Sequence, residues 1–141
     1  MNELTIRPAT FADRDALFPL VKTFATSFMP DEESFRGSFS RLVVNERACL
    51  LVAEAGTAIG YLLGFAHDTF YANGPVAWVE ELMVGESWRR QHVGQRLIQE
   101  FEAWAANRGC RLVALATRRA EPFYKSLGYE DSATYFRRLL A

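Results

Sequence analysis

The sequence predicts a mixed α/β fold: one sheet, mostly antiparallel, with helices on both faces. Three observations carry that expectation. Apolar runs at 49–53, 59–66 and 76–84 follow one another with only turn signals between them, which implies antiparallel hairpins. A long amphipathic pattern opening at Val93 stands between two apolar runs, which implies one parallel crossover. Two shorter helical patterns precede the central strands.

Each element has its own signal. Leu4 to Arg7 reads as a short strand closed by Pro8. Thr10 and Asp13 have capping-box spacing, and Leu17, Leu20, Val21 and Phe24 recur at helical intervals. Pro30 interrupts; Glu32 to Asn45 then reads as a second helix with Phe35, Phe39, Leu42 and Val43 inward. Cys49 to Ala53 is a strand, Gly56 turns it, and Ile59 to Ala66 is the next. Asn73-Gly74-Pro75 marks a turn into a third strand, Val76 to Val84. Val93, Leu97, Phe101, Trp104 and Ala105 form one helical stripe, with Gly109 at the position of a C-terminal cap. Arg111 to Ala116 is a strand, and Pro122 suits the first turn of a short helix ending at Gly128. Ala133 to Leu139 reads as a last strand.

With 141 residues, half of them hydrophobic and 13% aromatic, the chain has enough apolar surface for a core, and residues 1–141 read as a single domain. A net charge of −1 argues against a general nucleic-acid binder. The charge is unevenly spread. Asp31, Glu32, Glu33, Glu46, Glu54, Asp68, Glu80 and Glu81 face only Arg36, Arg41 and Arg47 between Ser27 and Gly85. From Glu86 to Lys125 bases outnumber acids, a half suited to an anionic ligand beside a half suited to a cationic one. Cys49 and Cys110 read as unpaired thiols of a reducing cytosol, and no Cys/His spacing suggests a metal. Arg7, Pro8, Asp13 and Arg14 break any signal-peptide pattern, and no apolar run is long enough to span a bilayer. A cytoplasmic protein with no membrane partner is expected.

The segment from Val84 to Gly94 carries the chemistry. An apolar strand runs into a short turn, two arginines, a glycine and a helix. The first turn of a helix leaves amides unpaired and carries partial positive charge, so it is an anion site, and Arg89 and Arg90 strengthen it. A nucleotide-hydrolase loop needs Gly-Lys-Ser/Thr, whereas Gly94 is followed by Gln95-Arg96. A dinucleotide fingerprint needs three glycines in register, which are missing.

Leu82-Met83-Val84, then Trp88-Arg89-Arg90-Gln91-His92-Val93-Gly94, then Phe123-Tyr124-Lys125-Ser126-Leu127-Gly128-Tyr129, resembles the GNAT superfamily of acetyl-CoA-dependent N-acetyltransferases. Arg89 and Gly94 fill the ends of that family's cofactor motif, and His92 stands where an inner glycine is usual. The resemblance implies a GNAT-like sheet with a central splay between the strand ending at Val84 and the strand starting at Arg111. Coenzyme A is the implied cofactor. Its pantetheine arm is expected along the backbone of Leu82, Met83 and Val84, with the Met83 N–H near the thioester carbonyl. Its pyrophosphate is expected on Gln91, His92, Val93, Gly94 and Gln95, with Arg89 and Arg90 adding charge. Tyr124 matches the family tyrosine near the cofactor sulfur. A thiol near ~8.5 and a phenol near ~10 make that proton transfer uphill by only roughly 2 kcal/mol.

Glu80 and Glu81 interrupt an apolar strand, and the strand period sends them to opposite faces. Glu80 is the expected base, with Glu81 as substrate anchor or alternate base. The expected activity is direct acetyl transfer to a primary amine of a small molecule. A noncatalytic acyl-CoA sensor and a protein N-terminal or lysine acetyltransferase are the alternatives. The Tyr135-Phe136 strand is a candidate homodimer contact.

Overall fold

The computed structural model describes residues 3–140. Its sheet has five strands in spatial order: β1 (Thr5–Pro8), β2 (Ala48–Ala55), β3 (Thr57–Thr69), β4 (Gly74–Val84) and β5 (Val113–Leu115). The first four are antiparallel neighbours and β5 runs parallel to β4. Four helices, α1 (Arg14–Phe24), α2 (Glu32–Leu42), α3 (Val93–Asn107) and α4 (Glu121–Ser126), cover both faces. None among the described residues is long and apolar enough to cross a membrane.

One face carries the α3 stripe. Val93, Leu97, Ile98, Phe101 and Ala105 pack with Leu51, Ala53, Leu62 and Val79. The other carries α1 and α2, whose Leu17 and Phe39 pack with Val52, Tyr61 and Met83. The N-terminal strand is tied to this second layer by charge. Arg7 donates to both Asp13 carboxylate oxygens at 2.8 Å and to Glu54 at 3.0 Å, and Asp13 also accepts from the Thr10 N–H at 2.7 Å. Asp31 caps α2 by accepting from the Ser34 N–H at 2.8 Å.

The β4–β5 ladder is short. It pairs Ala77 with Val113, Trp78 with Ala114 and Val79 with Leu115, and no further. From Glu80 to Val84, β4 continues without a partner on that side among the described residues. This is the expected splay.

One expectation fails: Ala133 to Leu139 is not a strand. Residues 130–140 form no regular element, and Tyr135, Phe136, Leu139 and Leu140 are exposed. An apolar pattern becomes a strand only when a ladder takes up its backbone groups. Here the outer edge of three-residue β5 does not pair with it.

Candidate active site

The centre of β4 departs from a simple two-residue period. Gly64 pairs with Val79 and Leu63 pairs with Glu81, so Glu80 is an extra residue in a β-bulge. The bulge reverses the phase of every later residue. Ala77 and Val79 belong to the α3 face below it, whereas Leu82 and Val84 reach that face above it and Met83 joins the α1–α2 cluster. Glu81 meets Tyr61 of the α1–α2 cluster, and the charge of Glu80 acts on it. The bulge thus interrupts, between the two carboxylates, the plain period that predicts opposite faces. Gly64 permits this packing, because a Cβ there would lie 2.3 Å from the Phe101 ring.

The two acids differ in environment. Glu80 is exposed. Glu81 is half-buried, and burial lifts its carboxyl above the ordinary glutamate range. The negative charge of Glu80 lifts it further, while a hydrogen bond from the Tyr61 hydroxyl (2.7 Å) works the other way.

The bulge also decides which backbone groups face the splay. Below it, the Ala77 N–H donates to Leu112 on the β5 side. Above it, the Gly85 N–H donates to Ile59 at 2.7 Å on the β3 side. Antiparallel alternation then turns the Met83 N–H toward its partner Tyr61 on β3, and the backbone groups of Leu82 and Val84 toward the open slot. The Met83 N–H, expected at the thioester, thus points to the sheet, and the N–H groups of Leu82 and Val84 face the slot.

At the far end of the slot the chain makes an amide-rich turn. Arg90 (φ 63°) and His92 (φ 65°) are both left-handed, and His92 is the N-cap of α3. Such alternating backbone forms a concave array of N–H groups. The N–H groups of Val93, Gly94 and Gln95 have no partner among the described residues, and the first helical bond runs from Arg96 to His92 at 3.0 Å. Arg89 is held over the end of β4 by a 3.2 Å bond from Nε to the Val84 carbonyl, leaving the rest of its guanidinium free. Gln91 bonds back to Ser87, and His92 Nδ1 lies 3.1 Å from Gln95 Oε1. Gly94 has a second use: a Cβ there would come 3.2 Å from Phe123, so the missing side chain lets α4 close on the start of α3. A cleft of about 190 Å³ adjoins the turn, between Gln95, Gln99 and Glu102 of α3 and Ser126 and Leu127 at the end of α4. These orphan amides, the free β4 edge and the nearby guanidinium fit a diphosphate carrying a thin linear arm.

Tyr124 on α4 is 9% exposed and stacks edge-on against Phe123 and Tyr129. Burial pushes its hydroxyl up to about 12. Tyr129 is anchored to α3 by a 2.7 Å bond to Glu102, which fixes the chain leaving α4. Tyr61 is the site residue that sequence reading passed over. Its only signal is a hydroxyl-bearing side chain between Gly60 and Leu62 in an otherwise apolar run.

Known proteins resemble this chain in sequence and in fold. The model of the acetyltransferase (GNAT) family matches residues 12–129. An aminoglycoside N(6')-acetyltransferase type 1 of Stenotrophomonas maltophilia is 30% identical, over 94% of this chain and 92% of that protein. An aminoglycoside N-acetyltransferase solved in complex with CoA superposes with a TM-score of 0.87 at 22% identity, covering 100% of this chain and 97% of that one. Glucosamine-6-phosphate N-acetyltransferase from Arabidopsis thaliana superposes at 0.86 with 16% identity and 99% coverage of both. At those identities the two structures show a shared fold.

Proposed function

The chain belongs to the acetyltransferase (GNAT) family, and on that premise we propose that it transfers acetyl from acetyl-CoA to a primary amine of a small cationic acceptor of the aminoglycoside class. Attack is direct, with both molecules bound. The observation that carries this reading is the convergence of three features: the orphan amides at the start of α3, the free β4 edge beyond Val79, and the adjacent carboxylates Glu80 and Glu81 on that stretch of β4.

Acetyl-CoA supplies the acetyl thioester. The chain supplies binding and proton traffic. The turn from Gln91 to Gln95 and the guanidiniums of Arg89 and Arg90 would hold the diphosphate, and Leu82 and Val84 would pair with the arm. An amine arrives protonated and must lose a proton before it can attack. Sequence reading put Glu80 first for that task, but its exposure favours a role in attracting cations. Glu81 is the better base, because burial narrows the gap between its carboxyl and an ammonium at about 1.36 kcal/mol for each pKa unit. Tyr124 holds its proton for the departing sulfur. A phenol at about 12 against a thiol near ~8.5 makes the step uphill by roughly 5 kcal/mol. The same dry surroundings lift the thiol as well and reduce that figure.

The acceptor class rests on the relatives' activity and on the acids Asp31, Glu32 and Glu33 at the start of α2, which suit a polycation. A homodimer through the C-terminal segment belongs to the same reading. Tyr135, Phe136, Leu139 and Leu140 expose apolar surface, and β5 offers an unpaired outer edge. Light scattering of the chain and of Phe136→Glu tests the dimer.

A thiol-release assay with acetyl-CoA and a panel of amines tests the activity. Turnover with aminoglycosides, and none with peptide amines, is expected. Calorimetric CoA binding without turnover of any amine would replace the enzyme by a sensor. Turnover of peptides alone would make the acceptor a protein.

A further inference from the structure

We infer that Tyr61 is a positioning residue: its hydroxyl fixes the Glu81 carboxylate so that one oxygen is occupied and the other is presented to the acceptor amine. This rests on the reading of Glu81 as the base. Tyr61 is 2% exposed and lies in the cluster formed with Leu17, Phe39, Val52 and Met83, its ring edge-on to Phe24 at a centroid distance of 6.5 Å. A ring packed on all sides has one orientation, so its hydroxyl is a fixed point. That hydroxyl donates to Glu81 Oε1 at 2.7 Å. Packing alone would be served by phenylalanine, and a buried hydroxyl without a partner would be destabilising. The carboxylate, by contrast, ends a side chain with three torsions beside an open slot. Without an anchor it has several orientations, and a base must be held within hydrogen-bonding reach of the proton it takes.

The charged surroundings of Glu81 are simple. β3 offers the Tyr61 hydroxyl and β4 offers Glu80. From α1 and α2 the side chains packed on this cluster are Leu17, Leu20, Val21, Phe24, Phe35 and Phe39. Their charged residues are engaged or exposed at the surface: Arg14 and Arg36 with Asp15, Arg36 also with Glu32, Lys22 over the Phe18 ring, Arg41 with the Ser38 hydroxyl, and Glu33 in solvent. Among the described residues Tyr61 is thus the only hydrogen-bond donor on this carboxylate.

The test is the pH profile of kcat/KM for Tyr61→Phe, Glu81→Gln and the double variant, with circular dichroism to confirm folding. Tyr61→Phe should lower kcat about tenfold to a hundredfold and leave the KM for acetyl-CoA unchanged. It should also move the acid limb to higher pH, because the bond that favours the ionised carboxylate is gone while burial and Glu80 remain. In the Glu81→Gln background it should change neither rate nor profile. An unaltered rate and limb in Tyr61→Phe, with Glu81→Gln inactive, overturns the positioning role and leaves the base in place. A wild-type rate and limb in Glu81→Gln overturns the base and the inference together. If phenylalanine at 61 prevents folding, 3-fluorotyrosine keeps the shape and donates more strongly. The acid limb then moves to lower pH, and an unmoved limb overturns the inference.

Discussion

Gly64 on β3 lies against the ring of Phe101 on α3, so close that a Cβ would fall 2.3 Å from Cε1 and 2.5 Å from Cζ. Phe101 is fully buried and has no room to retreat. Gly64→Ala should therefore destabilise the fold by about 1–3 kcal/mol, the usual range for overpacking. Urea unfolding measures it. A midpoint equal to wild type would mean that the helix shifts freely over the sheet.

His92 sits at φ 65° without being glycine. The left-handed region costs an ordinary residue about 1–2 kcal/mol, and a β-branched one more. His92→Gly is expected to melt at or above the wild-type temperature and to bind CoA at least as tightly. His92→Val should melt several degrees lower. Equal melting of both variants would show that the turn adapts to its side chain.

Arg89 is tethered to the Val84 carbonyl at the end of β4 by its Nε alone. Arg89→Ala should raise the KM for acetyl-CoA about tenfold or more, the worth of a charge-assisted bond, while kcat changes little. Steady-state kinetics separate the two. A fall in kcat at constant KM would place Arg89 elsewhere in the reaction.

Tyr124 has its hydroxyl pushed up to about 12, so it keeps its proton throughout the working range. Tyr124→Phe should reduce kcat by about 10²-fold or more and leave cofactor binding intact. The wild-type rate should show no basic limb from this group below about pH 11. Unchanged turnover in the variant would remove Tyr124 from the chemistry.

Asp13 is 7% exposed, and the Arg7 guanidinium holds its carboxyl below the ordinary aspartate value of 3.8. A depressed folded pKa lends stability above the unfolded value and loses it as pH falls through the folded one. Acid should therefore weaken the fold from about pH 4 downward, while Asp13→Asn should lose about 2 kcal/mol at pH 7 and show a flatter acid profile. Chemical denaturation across pH checks both. An identical profile would show that the pair contributes nothing.

Much of this is legible in the residue string, and what is not has a physical reason. The helical stripe of Val93, Leu97 and Phe101 and the turn at Asn73-Gly74 name their own structures. The amide-rich turn is legible because two arginines and a glycine lie at the mouth of a helix. The bulge at Glu80 is hidden, since it depends on Gly64 making room for Phe101, a contact between distant parts of the chain. With the bulge hidden, the pairing of Glu81 with Tyr61 and the orientation of the Leu82 amide were hidden too. The left-handed Arg90 carries no glycine to announce it. The strand expected after Ala133 failed because alternation describes a face and says nothing about a neighbour.

The unpaired stretch of β4 between Glu80 and Val84 has a consequence for solubility. Bare sheet edges are templates on which another chain can polymerise, and proteins guard them. Here the bare stretch starts where the ladder to β5 stops, at Val79 and Leu115. On the reading proposed above, a slender, unbranched thread rather than a second chain pairs with it.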